Sequence, residues 1–581
     1  MIEDIHEPVE NYKSFFKETH ARNTTAFFED LVKKSSIDEA ANIQTVKELR
    51  SLEQKITNES SSSRNWRILR GVTIAFFVIG VCFILTQYSN WWIIVPGVVF
   101  GPAIYKLNKI ISEVKARLAL LEKQRDSKRD EAWQQMKSLN QLYDWDIVAK
   151  LVQQTIPRVA LDTYFSNGRL SELHDTFGLN DEFNHNDRSI VFSHSGVLNG
   201  NPFVMARTLE HWMGEKTYHG SLSISWTEWV TDSKGNRTTV TRHQTLHASV
   251  TKPFPNYGNR TFIIYGNEAA PDLSFSRTPS TLSKLEDGFI NNWKKKRSEN
   301  ALEKKSRDLD NKFTVMSNRE FDSLFGATDR NHEVQFRLLF TALAQQEMLN
   351  LLKDKEVGYG DNFDFVKQHM INIVEPDHMM STDISGSPNL FYAYELAQAR
   401  KFFNDYHNNL FRSFFFGIAP ILTIPLYQQH RSHADIYKDV YASKSCFWEH
   451  ETIANHFGEK AFQHPNCITN SILKSQSKTE PDGTQTVSVK AYGYTGEDRA
   501  DYVSVYGGDG HYHKVRVNWV EYLDVQRESN MVVKEKMPIN IDETFSDHDD
   551  ENWHNLFKNK GIDTNNVLLR RSILSALLPN N

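Results

Sequence analysis

The feature that most constrains this chain is an uncharged segment between Arg70 and Lys106. Its 35 residues contain no Asp, Glu, Lys or Arg and are rich in Ile, Val and Phe. A hydrocarbon layer about 30 Å thick is crossed by roughly 20 helical residues. The segment is too long for one crossing and nearly long enough for two. It therefore predicts a transmembrane helical hairpin with legs over 68–87 and 91–107.

The residues around this hairpin predict its orientation. A polar turn over 87–90 separates the legs, and Tyr88, Trp91 and Trp92 are typical of a membrane interface. Cations flank both outer ends and are absent from the turn: Arg64, Arg67, Arg70, Lys106, Lys109, Lys115 and Arg117. This distribution predicts a multi-pass plasma-membrane protein with both termini in the cytoplasm. Because the legs are short, a re-entrant or interfacial hairpin and a buried soluble hairpin remain alternatives.

The composition limits the remaining possibilities. With 581 residues, 39% apolar and 24% charged, most of the chain is expected to fold in water as several units. A formal net charge of -6 gives no general attraction to phosphate backbones, so nucleic acid is not an expected partner. Cys82, Cys446 and Cys467 are far apart in the chain and imply no disulfide framework, which fits a reducing compartment.

The hydrophobic periodicity predicts an α+β fold, with long helices flanking the hairpin and antiparallel β units packed with helices. The flanking helices either pair as a coiled-coil stalk or are two unrelated solvated helices. The predicted segments are a helical arm (1–67), the hairpin (68–107), a helical stalk (108–157), a first α+β or β unit (158–280), a helical region with amphipathic and apolar helices (281–445), a second β unit (446–528), and an acidic linker with a C-terminal helix (529–581).

Two regions alternate apolar and polar residues as β-strands do. In the first, strands on either side of a turn over 232–236 predict a hairpin, and TFIIYG at 261–266 predicts a buried strand. The second begins near Ile468 and predicts an antiparallel sheet with a turn at 481–484. The hairpin around 481–484 resembles the one around 232–236 in layout, so an internal duplication is possible.

Three further segments have more than one interpretation. Residues 319–352 predict a short turn or strand and then one strongly amphipathic helix. The uncharged run over 413–430 predicts a helix buried against the β units, a membrane-surface segment or a third crossing. The basic run Lys294, Lys295, Lys296 and Arg297 is either a solvated helix face or a contact for anionic lipid.

Three stretches together resemble a family of bacterial two-span membrane proteins that carry a domain of unknown function. They are HSGVLNGNPF, TLHASVTKPFPNYGNRTFIIYG and REFDSLFGATDRNHEVQFRLLFTALAQQEMLNLL, and the resemblance covers about residues 60–370. It implies a charged helix, a two-span hairpin, a second helix and a cytoplasmic α+β region. The remaining 210 or so residues depart from the short family form. The resemblance carries over no catalytic residue.

The chain lacks the phosphate-binding loop, the nucleophile elbow and the dinucleotide-binding glycine motif. Its candidate chemistry is therefore histidine and cysteine. Cys446, His450, His464 and Cys467 could supply a tetrahedral zinc site, although the spacing matches no known zinc motif. The alternative is an amphipathic helix with surface histidines and two buried thiols. His511 and His513 would share a strand face beside Asp509 and could also hold a metal.

These observations predict a membrane-anchored cytoplasmic binding or scaffold protein without recognisable catalysis. Its expected partners are the lipid bilayer and either a protein or a second copy of the chain. A membrane-tethered metal-dependent enzyme and an anionic-lipid-binding protein of the inner leaflet are the alternatives.

Overall fold

The computed structural model describes residues 5–87, 94–231, 235–280, 314–429, 443–536, 555–563 and 566–579, with no side chains described over 83–97. Helices combined with two antiparallel sheets confirm the predicted α+β class. The predicted membrane turn with its aromatic residues, the basic run 294–297 and most of the acidic linker lie outside the described residues.

The main helices follow the segments with helical periodicity. In chain order they are α1 (Pro8–Asn11), α2 (Lys17–Ser35), α3 (Glu39–Gln87), α4 (Ile94–Asn140), α5 (Ile147–Thr155), α6 (Asn167–Ser171), α7 (Arg319–Phe325), α8 (Glu333–Leu339), α9 (Ala342–Lys353), α10 (Asp377–Met380), α11 (Leu396–Leu422), α12 (Phe447–Phe457) and α13 (Glu459–Phe462).

The strands include both regions of period two. They are β1 (Val159–Leu161), β2 (Arg188–Leu198), β3 (Asn201–Thr231), β4 (Arg237–Gly266), β5 (Ser274–Arg277), β6 (Phe363–Gln368), β7 (Ile371–Pro376), β8 (Ile472–Thr479), β9 (Gln485–Tyr506), β10 (Tyr512–Glu535), β11 (Leu568–Arg570) and β12 (Ile573–Leu577).

The predicted consecutive segments group into two discontinuous compact units. The helical unit comprises Ala21–Ile147 and Gly386–Asn408. The two-sheet unit comprises Met1–His20, Val148–Ser385 and Asn409–Asn581.

In the helical unit, α3 and α4 pack against each other as an antiparallel pair. Gln135 Nε2 donates to Thr45 Oγ1 at 3.0 Å, and Lys128 Nζ lies 2.9 Å from a carboxylate oxygen of Glu48. Apolar side chains at helical spacing are buried on both helices: Val46, Leu49, Leu107, Ile111, Val114, Ala132, Met136 and Leu139. The two arms therefore pack together, and the coiled-coil form of this pairing stays a prediction.

One helix in the described part of the chain is long and apolar enough to cross a membrane. It is the Glu39–Cys82 stretch of α3. The most apolar 18-residue segment of this stretch is not buried against protein. The second span predicted over 91–107 is not confirmed, because α4 does not meet the same test within the described side chains. The structure supports one candidate crossing, and the second stays a prediction.

The seven-stranded sheet has the order β1-β2-β3-β4-β7-β6-β5, with antiparallel pairing throughout. The predicted hairpin and the buried strand 261–266 are both parts of the long β3–β4 pair. The C-terminal part of α11 packs on this sheet, with the rings of Phe414 and Phe203 at 6.1 Å. Because Phe414, Phe415, Ile418 and Leu422 are buried, the prediction of a helix buried against the β units is confirmed.

The five-stranded sheet has the order β11-β12-β10-β9-β8. The predicted C-terminal helix is wrong, because residues 573–577 form β12 and pair with residues 531–535 of β10. Residues 481–484 do form a turn, but it joins β8 to β9, whereas residues 232–236 join β3 to β4. The two predicted hairpins therefore occupy different places in their sheets. Both sheets contain one shorter strand that is followed in the chain by two long strands. These are β2, β3 and β4 in the seven-stranded sheet and β8, β9 and β10 in the five-stranded sheet.

The single amphipathic helix predicted over 319–352 is also wrong, because this segment forms the three short helices α7, α8 and α9. Gly326 ends α7 with a φ of 76°, a left-handed conformation that glycine adopts without strain. His332 and Thr341 accept hydrogen bonds from the first turns of α8 and α9. Local capping interactions thus divide this stretch of helical apolar spacing into three separate helices.

Candidate functional site

Two long β-ribbons lie against each other in the two-sheet unit. The first ribbon is β3–β4 and the second is β9–β10. Lys252 Nζ on the first lies 2.7 Å from Asp501 Oδ2 and 4.3 Å from the ring centre of Trp519, both on the second. At Gly220 a Cβ atom would lie 2.2 Å from the carbonyl oxygen of Arg516. The glycine therefore permits a close approach between the two ribbons.

A cleft of about 470 Å³ opens where these ribbons meet. On the first ribbon His211 lies directly opposite Tyr257, and on the second Tyr494 lies directly opposite Asp524. The imidazole ring centre is 5.1 Å from that of Tyr257 and 5.2 Å from that of Tyr494. The strand register thus brings two distant cross-strand pairs to one cavity. Its lining residues are Asn186, His211, Tyr257, Ile472, Tyr492, Gly493, Tyr494, Asp524, Val525 and Gln526.

The imidazole in the cleft has a lowered pKa, which favours its neutral form. Burial lowers the pKa of His211, an effect that the nearby carboxylates of Asp187 and Asp524 oppose. The Nε2 atom of His211 is buried and has no hydrogen-bond partner among the described residues. A buried polar atom without a partner is energetically costly.

Two tyrosines of the cleft, Tyr257 and Tyr494, have raised pKa values. Burial raises the pKa of Tyr257 to about 12, and its hydroxyl lies 3.1 Å from Thr469 Oγ1. Burial, the charge of Asp524 and a hydrogen bond to that carboxylate together raise the pKa of Tyr494. Among the described residues that line the cleft, Asp524 is the only one with a formal charge. The site thus combines phenol rings, an imidazole and one carboxylate.

The segment that contains Cys467 supports the cleft from behind. A Cβ atom on Gly493 would lie 2.4 Å from Cys467 Sγ, so only a glycine fits there. The thiol lies 3.4 Å from the carbonyl oxygen of Thr469 and 3.6 Å from Ser471 Oγ. Burial would raise the pKa of Cys467, but hydrogen bonds from Ser471 and its neighbours outweigh that effect and lower the pKa.

The predicted zinc donors are not brought together. Cys446 precedes α12 and is fully buried, and burial raises the pKa of its thiol. His464 Nδ1 instead accepts a hydrogen bond from the Asn466 amide in a turn. In the described ranges no group of three or more His, Cys, Asp or Glu side chains is placed to hold a metal ion.

His450 is buried, so the alternative of surface histidines on this helix is wrong for that residue. Its Nε2 atom lies 2.9 Å from Ser445 Oγ, which donates to Glu535 Oε1 at 2.6 Å. In a serine nucleophile pair the hydroxyl would donate to the imidazole. Here it donates to a carboxylate, and all three side chains are buried. The geometry of this cluster therefore indicates a structural role, in which buried hydrogen bonds hold the three side chains together.

The second predicted metal pair lies in the turn between β9 and β10. His513 Nε2 lies 2.9 Å from Asp509 Oδ2, and the Asp509 side chain also accepts from the His511 amide at 3.1 Å. This is an exposed turn closed by its own aspartate. No further donor completes a metal site with these two histidines among the described residues.

Sequence reasoning missed His211, Tyr257, Tyr494 and Asp524. The alternation of residues 492 and 494 correctly indicates that Tyr492 and Tyr494 share a strand face. No sequence signal indicates that this face meets a pair of residues more than 200 positions earlier.

Comparison with known proteins identified no relative of this chain. No protein-family model, no curated protein and no solved structure matches the chain. The resemblance of residues 60–370 to uncharacterised two-span proteins therefore stays a prediction.

Proposed function

We propose that this protein is a membrane-anchored binding protein whose two-sheet unit lies in the cytoplasm. The observation that carries the proposal is the exposure of apolar side chains towards one end of the α3–α4 pair. Phe76, Ile79, Val98 and Val99 are each more than half exposed. Large contiguous apolar surfaces are uncommon on soluble proteins and mark contact with a partner or a membrane. Acyl chains would remove this area from water.

We also propose that α4 crosses the bilayer beside α3. Arg70 Nη1 donates to Asn108 Oδ1 at 3.1 Å, so the inner ends of the two apolar segments lie at one level. Lys106 and Lys109 belong to α4 near the same level as Arg67 and Arg70 on α3. Cations concentrated on one side of a hairpin favour the cytoplasmic side.

The cleft between the ribbons supports a binding role. Its described lining combines three tyrosine rings, one imidazole and one carboxylate. The lipid-binding alternative loses one of its two predicted surfaces, because Phe414 and Leu422 are buried against protein.

Membrane anchorage is tested first by extraction. Membranes from cells that express the full chain are washed with alkaline sodium carbonate, and the chain should stay in the pellet. Cys82, which is exposed on the apolar part of α3, provides a second measurement. In a Cys467→Ser background it should resist a charged maleimide in membranes and react with a permeant one. Release by carbonate, or full labelling by the charged reagent, would contradict anchorage.

The number of crossings and their orientation are tested with single accessible cysteines in a Cys82→Ser, Cys467→Ser background, in which the remaining Cys446 is fully buried. Ser89→Cys lies between the two apolar segments, and Lys115→Cys lies beyond the second. In intact cells a charged maleimide should label position 89 and should label position 115 only after permeabilisation. Labelling of position 115 in intact cells would show a single crossing or the opposite orientation.

A further inference from the structure

The ribbon cleft presents an unusual set of groups to a ligand. Tyr257, Tyr492 and Tyr494 supply aromatic rings, and Asp524 supplies the only formal charge among the described lining residues. Lys and Arg are absent from this lining. An anionic ligand would meet a carboxylate here without a counter-charge. The electrostatics of the cleft therefore favour a cation.

The residues that line the cleft suit an organic cation better than a metal ion. Metal ions are held by several carboxylate, imidazole or thiolate groups, and no such group of three occurs among the described residues. Organic ammonium ions are instead bound by the faces of aromatic rings together with a carboxylate.

The dimensions also fit a small molecule. Ligand sites typically occupy roughly 300 to 1,000 Å³ and are largely formed before binding. The cleft has about 470 Å³. Eight of its ten described lining residues belong to the two hydrogen-bonded ribbons, and the His211 ring contacts both Tyr257 and Tyr494. The other two are Asn186, in the turn before β2, and Ile472, which begins β8. The site is therefore held mainly by regular structure.

We propose that this cleft binds a small organic cation of the alkylammonium class, with Asp524 as the counter-ion and Tyr257 and Tyr494 as aromatic walls. Asp524 is exposed and lies across the strand pair from Tyr494, so its carboxylate is reached from solvent. The proposal rests on the binding role proposed above. It does not depend on membrane insertion.

The test is calorimetric titration of the full chain in non-ionic detergent. The probe is choline chloride, and the control is 3,3-dimethylbutan-1-ol, which has the same shape without the charge. Choline should bind saturably with a dissociation constant below about 1 mM. The neutral control should bind at least tenfold more weakly. Equal affinity for both compounds would refute the ligand class while leaving a binding role. No saturable choline binding would also overturn the proposal.

Matched variants locate the binding site. Asp524→Asn and Tyr494→Leu should each weaken choline binding tenfold or more, whereas Tyr494→Phe keeps the aromatic face and should stay within about threefold of the parent. Asp498→Asn, at an exposed aspartate elsewhere on the second ribbon, is the control for loss of charge. Thermal unfolding of each variant identifies any that are misfolded. Undiminished binding by both Asp524→Asn and Tyr494→Leu would place any choline site elsewhere.

Discussion

Glu451 is held between the two sheets of its unit, and its protonation should control stability. Its Oε2 atom accepts a hydrogen bond from the Ile190 amide of β2 at 2.8 Å. Its Oε1 atom lies 2.7 Å from Lys474 Nζ on β8. The side chain is fully buried, and this burial raises its pKa to about 7 in spite of the attraction of Lys474.

The sign of the effect follows from the two protonation states. An ordinary glutamate has a pKa of 4.5. Between that value and about 7, the folded chain keeps a proton that the unfolded chain has released. The free energy of unfolding should therefore fall as the pH rises through this window. The two pKa values correspond to a loss of about 3 kcal/mol.

The perturbation is Glu451→Gln, which keeps an oxygen acceptor for the Ile190 amide and cannot ionise. Urea unfolding is followed by tryptophan fluorescence, to which the neighbouring buried Trp448 contributes. Relative to the parent, the variant should gain about 3 kcal/mol between about pH 5 and pH 8. Glu521→Gln is the control, because Glu521 is partly exposed beside Arg499. If the difference between parent and Glu451→Gln is constant over this range, the reasoning fails.

Two other predictions concern a buried histidine and the ribbon contact. Burial lowers the pKa of His378 to about 4, so the stability that its neutral form provides should be lost as the pH falls from about 6.5 through 4. His378→Gln should reduce this acid loss by about 3 kcal/mol in urea unfolding at several pH values, and an unchanged acid slope would contradict the assignment. Gly220→Ala should destabilise the chain by about 1–3 kcal/mol, because the new methyl group meets the Arg516 carbonyl. Ser221→Ala, at the exposed neighbouring residue, should change the thermal midpoint little, and an equal effect of both variants would exclude a steric cause.

Several elements follow from local physical chemistry and were predictable. Residues 221–230 and 238–251 alternate in polarity, and this pattern suits a half-buried strand and no helix. The first part of the uncharged stretch, over 71–82, belongs to an apolar helix that no protein core covers. In both cases the information lies within about 30 consecutive residues.

Other elements depended on distant partners and were predicted wrongly or missed. Residues 573–577 have apolar spacing that fits a helix, yet β10 offers them a free edge and they form a strand. Strands β6 and β7 are six residues each and carry little pattern of their own. His450 has the same neighbours in sequence whether it faces water or the core, and only the packing of α12 buries it.

The sequence by itself determined the fold class, the apolar helix and the long alternating strands, because periodicity and hydrophobicity act between near neighbours. The tertiary structure alone decided which strand faces meet. His211 and Asp524 line one cleft although they are far apart in the chain, because two separate ribbons pack in one particular register. That register depends on close contacts such as the one at Gly220, and such contacts leave no periodic trace in the sequence.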